Sequence, residues 1–318
     1  MEGLGFYIWR LENMPEPYSL AQLLKAGNVK WVTIKVLDGT GLYNAKGGNQ
    51  KLLKEYYQAL KEANISAGGW QYVYGEQPGL EGDMAQAFWE EFKVPHFFID
   101  AESEYKGYGT AKKAKLYCDK LHNGQLDIYL SSYRFPSLHG SFPFKAFLGH
   151  EKVDGNAPQV YWVGSHNPIE QLERSFKEYS LITDKPFIPI GSAYGSSEWS
   201  PTVDDLKKFV SASKKYKAYG FWSLDWILLH KKTDWWEAIT GVSQEPEPPI
   251  EVPEKVIITA DKLTIRNSPT ISEGSIIGHT YKDKVWYPDG VELDSNKRKW
   301  YFFGDKKKIY LASWWTKI

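Results

Sequence analysis

The chain has 318 residues, a formal net charge of zero and an aromatic content of 16%. Its single cysteine, Cys118, excludes an intrachain disulfide, and the absence of a long apolar run argues against a membrane-spanning helix. The length allows one barrel-sized domain of about 250 residues together with one small domain. Aromatic faces stack on the C–H faces of sugar rings, so the composition mildly favours a carbohydrate ligand over a nucleotide.

Short apolar segments alternate with amphipathic segments along the first 242 residues. Strands are predicted at Phe6–Leu11, Trp31–Leu37, Ser66–Tyr74, His96–Asp100, Leu126–Ser131, Gln159–Val163, Phe187–Ile190 and Gly220–Leu224. Helices are predicted at Ser19–Ala26, Gln50–Asn64, Leu80–Lys93, Thr110–His122, Ile169–Ile182, Thr202–Lys217 and Asp234–Thr240. Eight such repeats predict an α/β fold, a closed (β/α)₈ TIM-like barrel, with an open parallel sheet as the alternative.

A change of composition marks the end of this domain. Residues 243–254 (SQEPEPPIEVPE) read as a stiff Pro/Glu linker, which gives a barrel domain at 1–242 and a second domain at 255–318. Short strands are predicted there at Val256–Thr259, Leu263–Arg266, Ile276–Tyr281, Val285–Tyr287, Lys299–Phe303 and Ile309–Ala312, which indicates a small all-β barrel. This domain holds 12 Lys and Arg against 7 Asp and Glu, a balance that suits an anionic surface.

The strongest candidate for chemistry is the pair of acids at the end of the fourth strand. Asp100 and Glu102 are two residues apart, so on a strand they face the same way at roughly 6–7 Å. At the carboxyl end of a barrel strand, such a pair can address one glycosidic bond, with the drier acid keeping its proton. The alternative is that Asp100 caps a helix and that Glu102 and Glu104 are solvated.

Other strand ends supply further candidates. Asp38 and Asp225 are possible supporting carboxylates, although Asp38 precedes a Gly-rich stretch and is equally suited to a turn. The candidates for substrate binding are aromatic, with core packing as the alternative for each: Trp70, Tyr72, Tyr129, Trp162, Trp222 and Trp226.

Other classes of site find little support in the sequence. The seven histidines are scattered and no Cys/His cluster occurs, so we expect neither a metal nor a cofactor. No nucleophile elbow or phosphate-binding loop is present, and no helix carries a basic stripe for nucleic acid. The first residues do not resemble a signal peptide, so we expect synthesis in the cytoplasm without insertion into a membrane.

Four segments resemble strands of the glycoside hydrolase family 25 lysozymes. Val32–Asn44 is similar to the second-strand segment of that family, Gly68–Tyr72 to its third strand and Ile128–Ser131 to its fifth, and Asp100-Ala101-Glu102 matches its fourth-strand D-x-E. The resemblance covers roughly residues 30–165.

This resemblance implies roles for the two acids. Glu102 would be the acid/base, and Asp100 would help the substrate's N-acetyl group attack the anomeric carbon or act as the nucleophile. The chain departs from the family in its first strand, where Phe6–Arg10 lacks the usual aspartate. Asp38 and Asp225 are the candidates to replace it.

The C-terminal domain resembles bacterial SH3-type domains, which often bind peptidoglycan cross-bridges. Leu263–Pro269, Ile277-Gly278 and Trp300-Tyr301 carry this similarity. Together the resemblances imply a phage-endolysin type of N-acetylmuramidase that acts at the bacterial cell wall after release or as part of a virion. The alternatives are a non-catalytic wall-binding or virion module on a degenerate barrel, and a glycosidase for another N-acetylated glycan such as chitin.

Overall fold

The computed structural model describes residues 1–45, 50–121, 126–242, 253–271, 273–294, 298–304, 308–313 and 316–317. One compact unit consists of Met1–Asn13 and Ala21–Ser243, and the other of Met14–Leu20 and Gln244–Ile318. Residues 243–252 of the predicted linker lie outside the described residues, so the domain boundaries at 242 and 255 stay a prediction. Within the described ranges, no helix is long and apolar enough to cross a bilayer.

Eight parallel strands form a closed barrel. They are β1 (Gly3–Ile8), β2 (Trp31–Asp38), β3 (Ser66–Val73), β4 (His96–Ala101), β5 (Asp127–Tyr133), β6 (Gly155–Val160), β7 (Ile190–Ser192) and β8 (Ala218–Trp222). Each strand pairs with the next one, and β8 pairs with β1, so the ring is complete. The predicted barrel is thereby confirmed over the open sheet.

Helices follow the strands around the outside of the ring. They are α1 (Pro17–Ala26), α2 (Gln50–Glu62), α3 (Pro78–Phe92), α4 (Thr110–Lys120), α5 (Phe144–Leu148), α6 (Pro168–Tyr179), α7 (Val203–Ser213), α8 (Leu224–Leu229) and α9 (Thr233–Thr240). Thr202 and Asp205 form a reciprocal capping box at the start of α7, which fixes that end of the helix. The short helices α5 and α8 have no counterpart in the sequence prediction.

The sixth strand lies earlier in the chain than predicted. It spans Gly155–Val160 rather than Gln159–Val163. Pro158, which lacks an N–H group, is an unusual residue for a strand interior, yet it lies within the observed strand. The consequence is functional, because Gln159 lies at the open mouth of the barrel and Trp162 lies beyond the strand.

The lower half of the barrel interior is packed with aromatic rings. Tyr7, Trp31, Trp70, Phe98 and Tyr129 belong to one buried cluster, and the rings of Trp31 and Phe98 stack at 5.6 Å. Burial of each such side chain contributes on the order of 2 kcal/mol. The interior is therefore a filled core below a polar mouth, as expected for this architecture.

The C-terminal unit is a small all-β domain. Its strands are β9 (Val256–Ile258), β10 (Lys262–Arg266), β11 (Ile276–Tyr281), β12 (Val285–Trp286), β13 (Gly290–Leu293), β14 (Lys299–Phe303), β15 (Ile309–Ala312) and β16 (Thr316–Lys317). They form antiparallel sheets in the orders β12-β9-β16 and β11-β10-β15-β14-β13 around a core that includes Val256, Trp300 and Leu311. The all-β prediction is confirmed, and the SH3 type stays a prediction.

Candidate active site

The fourth strand carries a series of inward side chains from the floor of the barrel to its mouth. His96, Phe98 and Asp100 alternate along β4 and are buried, and Glu102 follows at the rim and is half-buried. Asp100 lies in register with Tyr72 of β3 and Ser131 of β5. The two-residue period that predicted a shared direction for the acids thus places them at the open end of the barrel.

Gln159 of β6 holds the two acids together. Its Nε2 donates to Oδ1 of Asp100 at 2.9 Å and to Oε1 of Glu102 at 2.8 Å. The two accepting oxygens therefore lie no farther apart than the sum of these distances. The two carboxyl groups are thus close enough to act on one bound group at the mouth.

A primary amide has two hydrogens on its nitrogen, so Gln159 can give one to each carboxylate. The oxygens that face Gln159 must then be acceptors, and a proton carried by the pair lies on one of the other oxygens. Gln159 consequently fixes both the distance between the acids and the position of their proton.

Burial makes Asp100 the acid that retains a proton. Removal from water raises the pKa of Asp100 well above its usual range, and the charge of Glu102 raises it further. The charge of Lys35 and the hydrogen bond from Gln159 act in the opposite direction. The pair therefore resembles other carboxylates that share a site, in which a single proton is held between two acids.

Lys35 and Asp38 lie at the mouth end of β2. Lys35 Nζ is 3.0 Å from Oδ1 of Asp38, and it lies 4.5 Å and 5.0 Å from the ring centroids of Tyr43 and Trp70. The hydroxyl of Tyr74 donates to the same Asp38 oxygen at 3.3 Å. Asp38 therefore neutralises a buried lysine at the rim, while Gly39, with φ +54°, makes the turn that the sequence suggested.

Glu104 lies outside the acid pair. It is exposed, and its Oε2 accepts a hydrogen bond of 2.7 Å from the hydroxyl of Tyr72. Burial, together with the nearby carboxylates, raises the pKa of Tyr72, so the phenol stays protonated and remains a donor.

Asp225 forms hydrogen bonds with the residues that follow the first strand and none with the acid pair. Its two oxygens accept from the backbone N–H groups of Trp9 at 2.6 Å and Arg10 at 2.7 Å, directly after the end of β1. Burial raises the pKa of Asp225 to about 6, although these hydrogen bonds oppose the shift. With both oxygens engaged, Asp225 joins α8 to the end of β1, and a supporting catalytic role is not what its contacts indicate.

The predicted aromatic contacts divide into two groups. Tyr72 and Trp222 are half-buried at the mouth, above the aromatic core, so they remain candidates for substrate contact. Trp226, on α8, is also half-buried, but its ring packs on His230 with centroids 4.0 Å apart. Its contacts give no support for a place in the groove.

Three of the side chains predicted to contact substrate are buried, and their role in substrate binding stays a prediction. Trp70 is 2% exposed and donates to the carbonyl of Ile8 within the core. Tyr129 donates to Asp127 at the floor end of β5, and Trp162 is fully buried against Phe209 of α7. The sequence placed these side chains at strand ends, whereas the structure packs them in the interior of the protein.

Several residues at the mouth were not identified from the sequence. Gln159 was missed because β6 was placed too late in the chain. Tyr133 and Arg134 were missed because β5 extends two residues beyond its predicted end at Ser131. Lys35 carried a usable signal, since a charged residue inside the apolar run Val32–Leu37 rarely lies in a buried strand without a partner.

The described residues contain no group of three or more His, Cys, Asp or Glu side chains that could hold a metal ion. The expectation of a site without metal or cofactor stays a prediction.

Comparison with known proteins supports the fold. No protein-family model and no curated protein matches the sequence. Among solved structures, the catalytic domain of a hyperthermophilic chitinase from Pyrococcus furiosus aligns with a TM-score of 0.55 at 14% identity, covering 75% of this chain and 96% of that one.

Two further chitinases align similarly. One is from Bacteroides thetaiotaomicron, with a TM-score of 0.54, 9% identity and coverage of 70% of this chain and 90% of that chain. The other is from Flavobacterium johnsoniae, with a TM-score of 0.50, 9% identity and coverage of 76% and 93%. At these identities the likeness establishes a shared barrel fold, and the chemistry has to be argued from the site.

Proposed function

We propose that the barrel is a retaining glycoside hydrolase that cleaves the β-1,4 bond after N-acetylmuramic acid in peptidoglycan. The observation that carries this proposal is the pair Asp100 and Glu102, held on one amide nitrogen of Gln159 at the mouth of the barrel. The barrel fold of chitinases, which are also glycan hydrolases, supports the general class of reaction.

Exposure divides the roles of the two acids. A general acid must contact the glycosidic oxygen, and Glu102 is the half-buried member at the rim, whereas Asp100 is 7% exposed. Glu102 would therefore give a proton to the leaving oxygen and later take one from the attacking water. The raised pKa of Asp100 leaves one proton on the pair before substrate binds, and this proton would pass from Asp100 to Glu102 before Glu102 donates it to the leaving oxygen.

Retention would proceed through an intermediate formed with the substrate's own N-acetyl group. The carbonyl oxygen of the substrate's N-acetyl group would attack the anomeric carbon as the bond to the leaving sugar breaks, with Asp100 orienting the acetamide. Water, deprotonated by Glu102, would then attack the same carbon and restore the original configuration. Direct attack by Asp100 is less suitable, because this carboxyl lies deeper in the barrel than Glu102.

The C-terminal domain would serve as the wall-binding part of an endolysin-type enzyme. Its excess of Lys and Arg suits an anionic cell wall, and the SH3-type resemblance suggests peptidoglycan cross-bridges as the ligand. In this proposal the protein acts at the bacterial wall after release from the cell that makes it or as part of a virion.

Chitin is the second candidate substrate. It is favoured by the chitinases among the structures that share the fold, and it contains the N-acetyl group that the proposed mechanism needs. Peptidoglycan carries carboxylates and chitin does not, so positively charged side chains near the acid pair would favour peptidoglycan as the substrate.

The decisive experiment compares Glu102→Gln with Glu104→Gln in a wall-clearing assay on purified peptidoglycan. Loss of a general acid should lower kcat by about 10²–10⁴-fold, whereas the exposed Glu104 should give a change of only a few-fold. Circular dichroism and thermal melting should match the wild type for both variants.

Products should be analysed for the sugar that carries the new reducing end. A reducing N-acetylmuramic acid supports the proposed bond, and release of chitin oligosaccharides alone supports the second candidate. Clearing by Glu102→Gln at near wild-type rate would reject the catalytic role. Binding of walls by the wild type without any cleavage would instead support a non-catalytic module.

A further inference from the structure

A group of basic side chains lies beside the acid pair, around the ring of Tyr133 at the end of β5. Lys106 Nζ is 4.3 Å from the centroid of this ring, and the ring of His139 stacks on it at 3.8 Å. Arg134 follows Tyr133 directly, and its Nη1 donates to the backbone carbonyl of Tyr161. The loops that carry these residues are joined by a 3.3 Å hydrogen bond from Gly107 N to the carbonyl of Ser141.

Electrostatic effects also place the three groups together. Burial lowers the pKa of His139, and the charges of Lys106 and Arg134 lower it further. Burial lowers the pKa of Arg134 as well, with a second contribution from the charge of Arg174. His139 is thus a neutral ring between two cations.

The cations lack anionic partners in the part of the chain that the structure describes. No carboxylate oxygen of those residues lies within 4.0 Å of Lys106 or Arg134, whereas the neighbouring Arg174 pairs with Glu178 at 2.8 Å. Arg134 is half-buried, and a guanidinium withdrawn from water without a counter-charge is costly. A bound anion would offset this cost.

The basic group adjoins the acids. Tyr133 lies in register with Gln159, the residue that is hydrogen-bonded to both Asp100 and Glu102. The charges of Glu102 and Glu104 contribute, after burial, to the raised pKa of Tyr133. A glycan with its scissile bond at Glu102 would extend over this side of the mouth. Guanidinium and ammonium groups are the usual partners of carboxylates, and Arg can bind one through two parallel hydrogen bonds.

We propose that Lys106, Arg134 and His139 form a subsite that binds an acidic substituent of the glycan, namely a carboxylate carried on the sugar next to the cleaved bond. The inference rests on the proposed hydrolase function and deepens it. Peptidoglycan carries such carboxylates on its muramic acid residues and peptide stems, whereas chitin is neutral. The subsite would therefore select peptidoglycan over chitin.

The test measures binding in a Glu102→Gln background, so that hydrolysis does not interfere. Two soluble probes are used: peptidoglycan glycan-strand fragments with free carboxylates, and the same fragments with the carboxylates reduced to alcohols. The Glu102→Gln protein should bind the fragment with free carboxylates at least ten-fold more tightly than the reduced fragment. Adding Lys106→Gln and Arg134→Gln should bring the ratio of the two Kd values close to one.

Two controls separate charge recognition from damage. Lys177→Gln removes an exposed lysine from α6 and should leave the ratio unchanged. Arg134→Lys keeps the positive charge and should retain part of the preference. If the double variant does not fold, Lys106→Gln alone, at an exposed position, should still lower the ratio several-fold.

Equal binding of both fragments before the basic residues are changed, or an unchanged ratio in the double variant, would overturn the subsite. Hydrolysis by the wild-type protein is measured separately on the anionic fragment. Cleavage without charge preference leaves the hydrolase and removes the subsite. Charge preference without cleavage leaves the subsite and removes the hydrolase.

Discussion

The floor and the mouth of the barrel are built by the same strands, and burial favours the neutral form of a titratable group at both ends, but only the mouth places a second acid beside it. At the floor, His96 is buried and hydrogen-bonded to the carbonyl of Val32 at 3.1 Å, and burial lowers its pKa to about 4. It is therefore neutral at all ordinary pH values. At the mouth, Asp100 is buried on the same face of the same strand, and burial raises its pKa beside a second carboxylate.

The difference is consistent with a floor that stabilises the fold and a mouth that carries the proposed chemistry. Neutral, hydrogen-bonded groups and close-packed rings stabilise the fold. Two acids that share a buried position destabilise it, and such pairs are typical of functional sites. Mutations at the two ends should accordingly separate free energy of unfolding from activity.

The largest effect on stability is expected at the floor. Phe98→Ala removes a fully buried ring from the aromatic core, and it should lower the free energy of unfolding by about 3–5 kcal/mol. Activity per folded molecule should remain within a few-fold of the wild type. Urea unfolding measures the first quantity, with Leu181→Ala at an exposed position as the control. A loss of kcat as large as that of Glu102→Gln would contradict the separation of a stabilising floor from a catalytic mouth.

A smaller loss of stability is expected at the rim of the mouth. Asp225→Asn keeps one acceptor but places an NH₂ group against the second of the two backbone N–H groups, those of Trp9 and Arg10. One donor is left unsatisfied, which should cost about 1–3 kcal/mol in urea unfolding. Activity should fall less than in Glu102→Gln. An equal loss of activity with unchanged stability would instead assign Asp225 to the chemistry.

The smallest effect should have the opposite sign. Asp100→Asn replaces a buried carboxyl, which ionises more easily in the unfolded chain, with a neutral amide whose oxygen can still accept from Gln159, so the variant should be more stable than the wild type near neutral pH. An increase on the order of 1 kcal/mol is typical when a functional site is relieved in this way. Activity should be lost at the same time.

The gain should depend on pH. Below about pH 4, Asp100 is protonated in both the folded and the unfolded wild type, so the variant has no advantage. As the pH rises, the unfolded chain ionises freely while the folded carboxyl resists ionisation, and the wild type loses relative stability. The melting temperature of Asp100→Asn should exceed that of the wild type by an amount that grows from about pH 4 to about pH 8. Asp184→Asn, at an exposed position, is the control and should show no such growth. A difference that shrinks as the pH rises would refute this account.

The sequence allowed prediction of those features that depend on local periodicity. The alternation of β4 was sufficient to place Asp100 and Glu102 on one face, and the eight repeats were sufficient for the barrel. Positions that depend on strand ends were less accessible. The predicted β6 began later in the chain than the observed strand, so Gln159 was not recognised as a residue at the mouth and Trp162 was placed at a strand end.

Contacts between distant segments could not be read from the sequence at all. Nothing near Asp225 indicates that its oxygens bind the amides of Trp9, 216 residues earlier in the chain, and of Arg10. Similarly, Lys106 and Arg134 come together only because neighbouring strands end at the same edge of the barrel. The sequence also could not decide between core packing and substrate contact for Trp70, since a strand-end tryptophan can fill a core as readily as it can line a groove.

The bond between Asp225 and the end of β1 bears on how the protein is made. The amino-terminal strand leaves the ribosome first, and nearly the whole barrel must be translated before Asp225 can fasten it. A nascent chain that already contains both acids of β4 still lacks the finished rim above them. Hydrolysis of the kind proposed above would thus require translation to have passed the eighth strand.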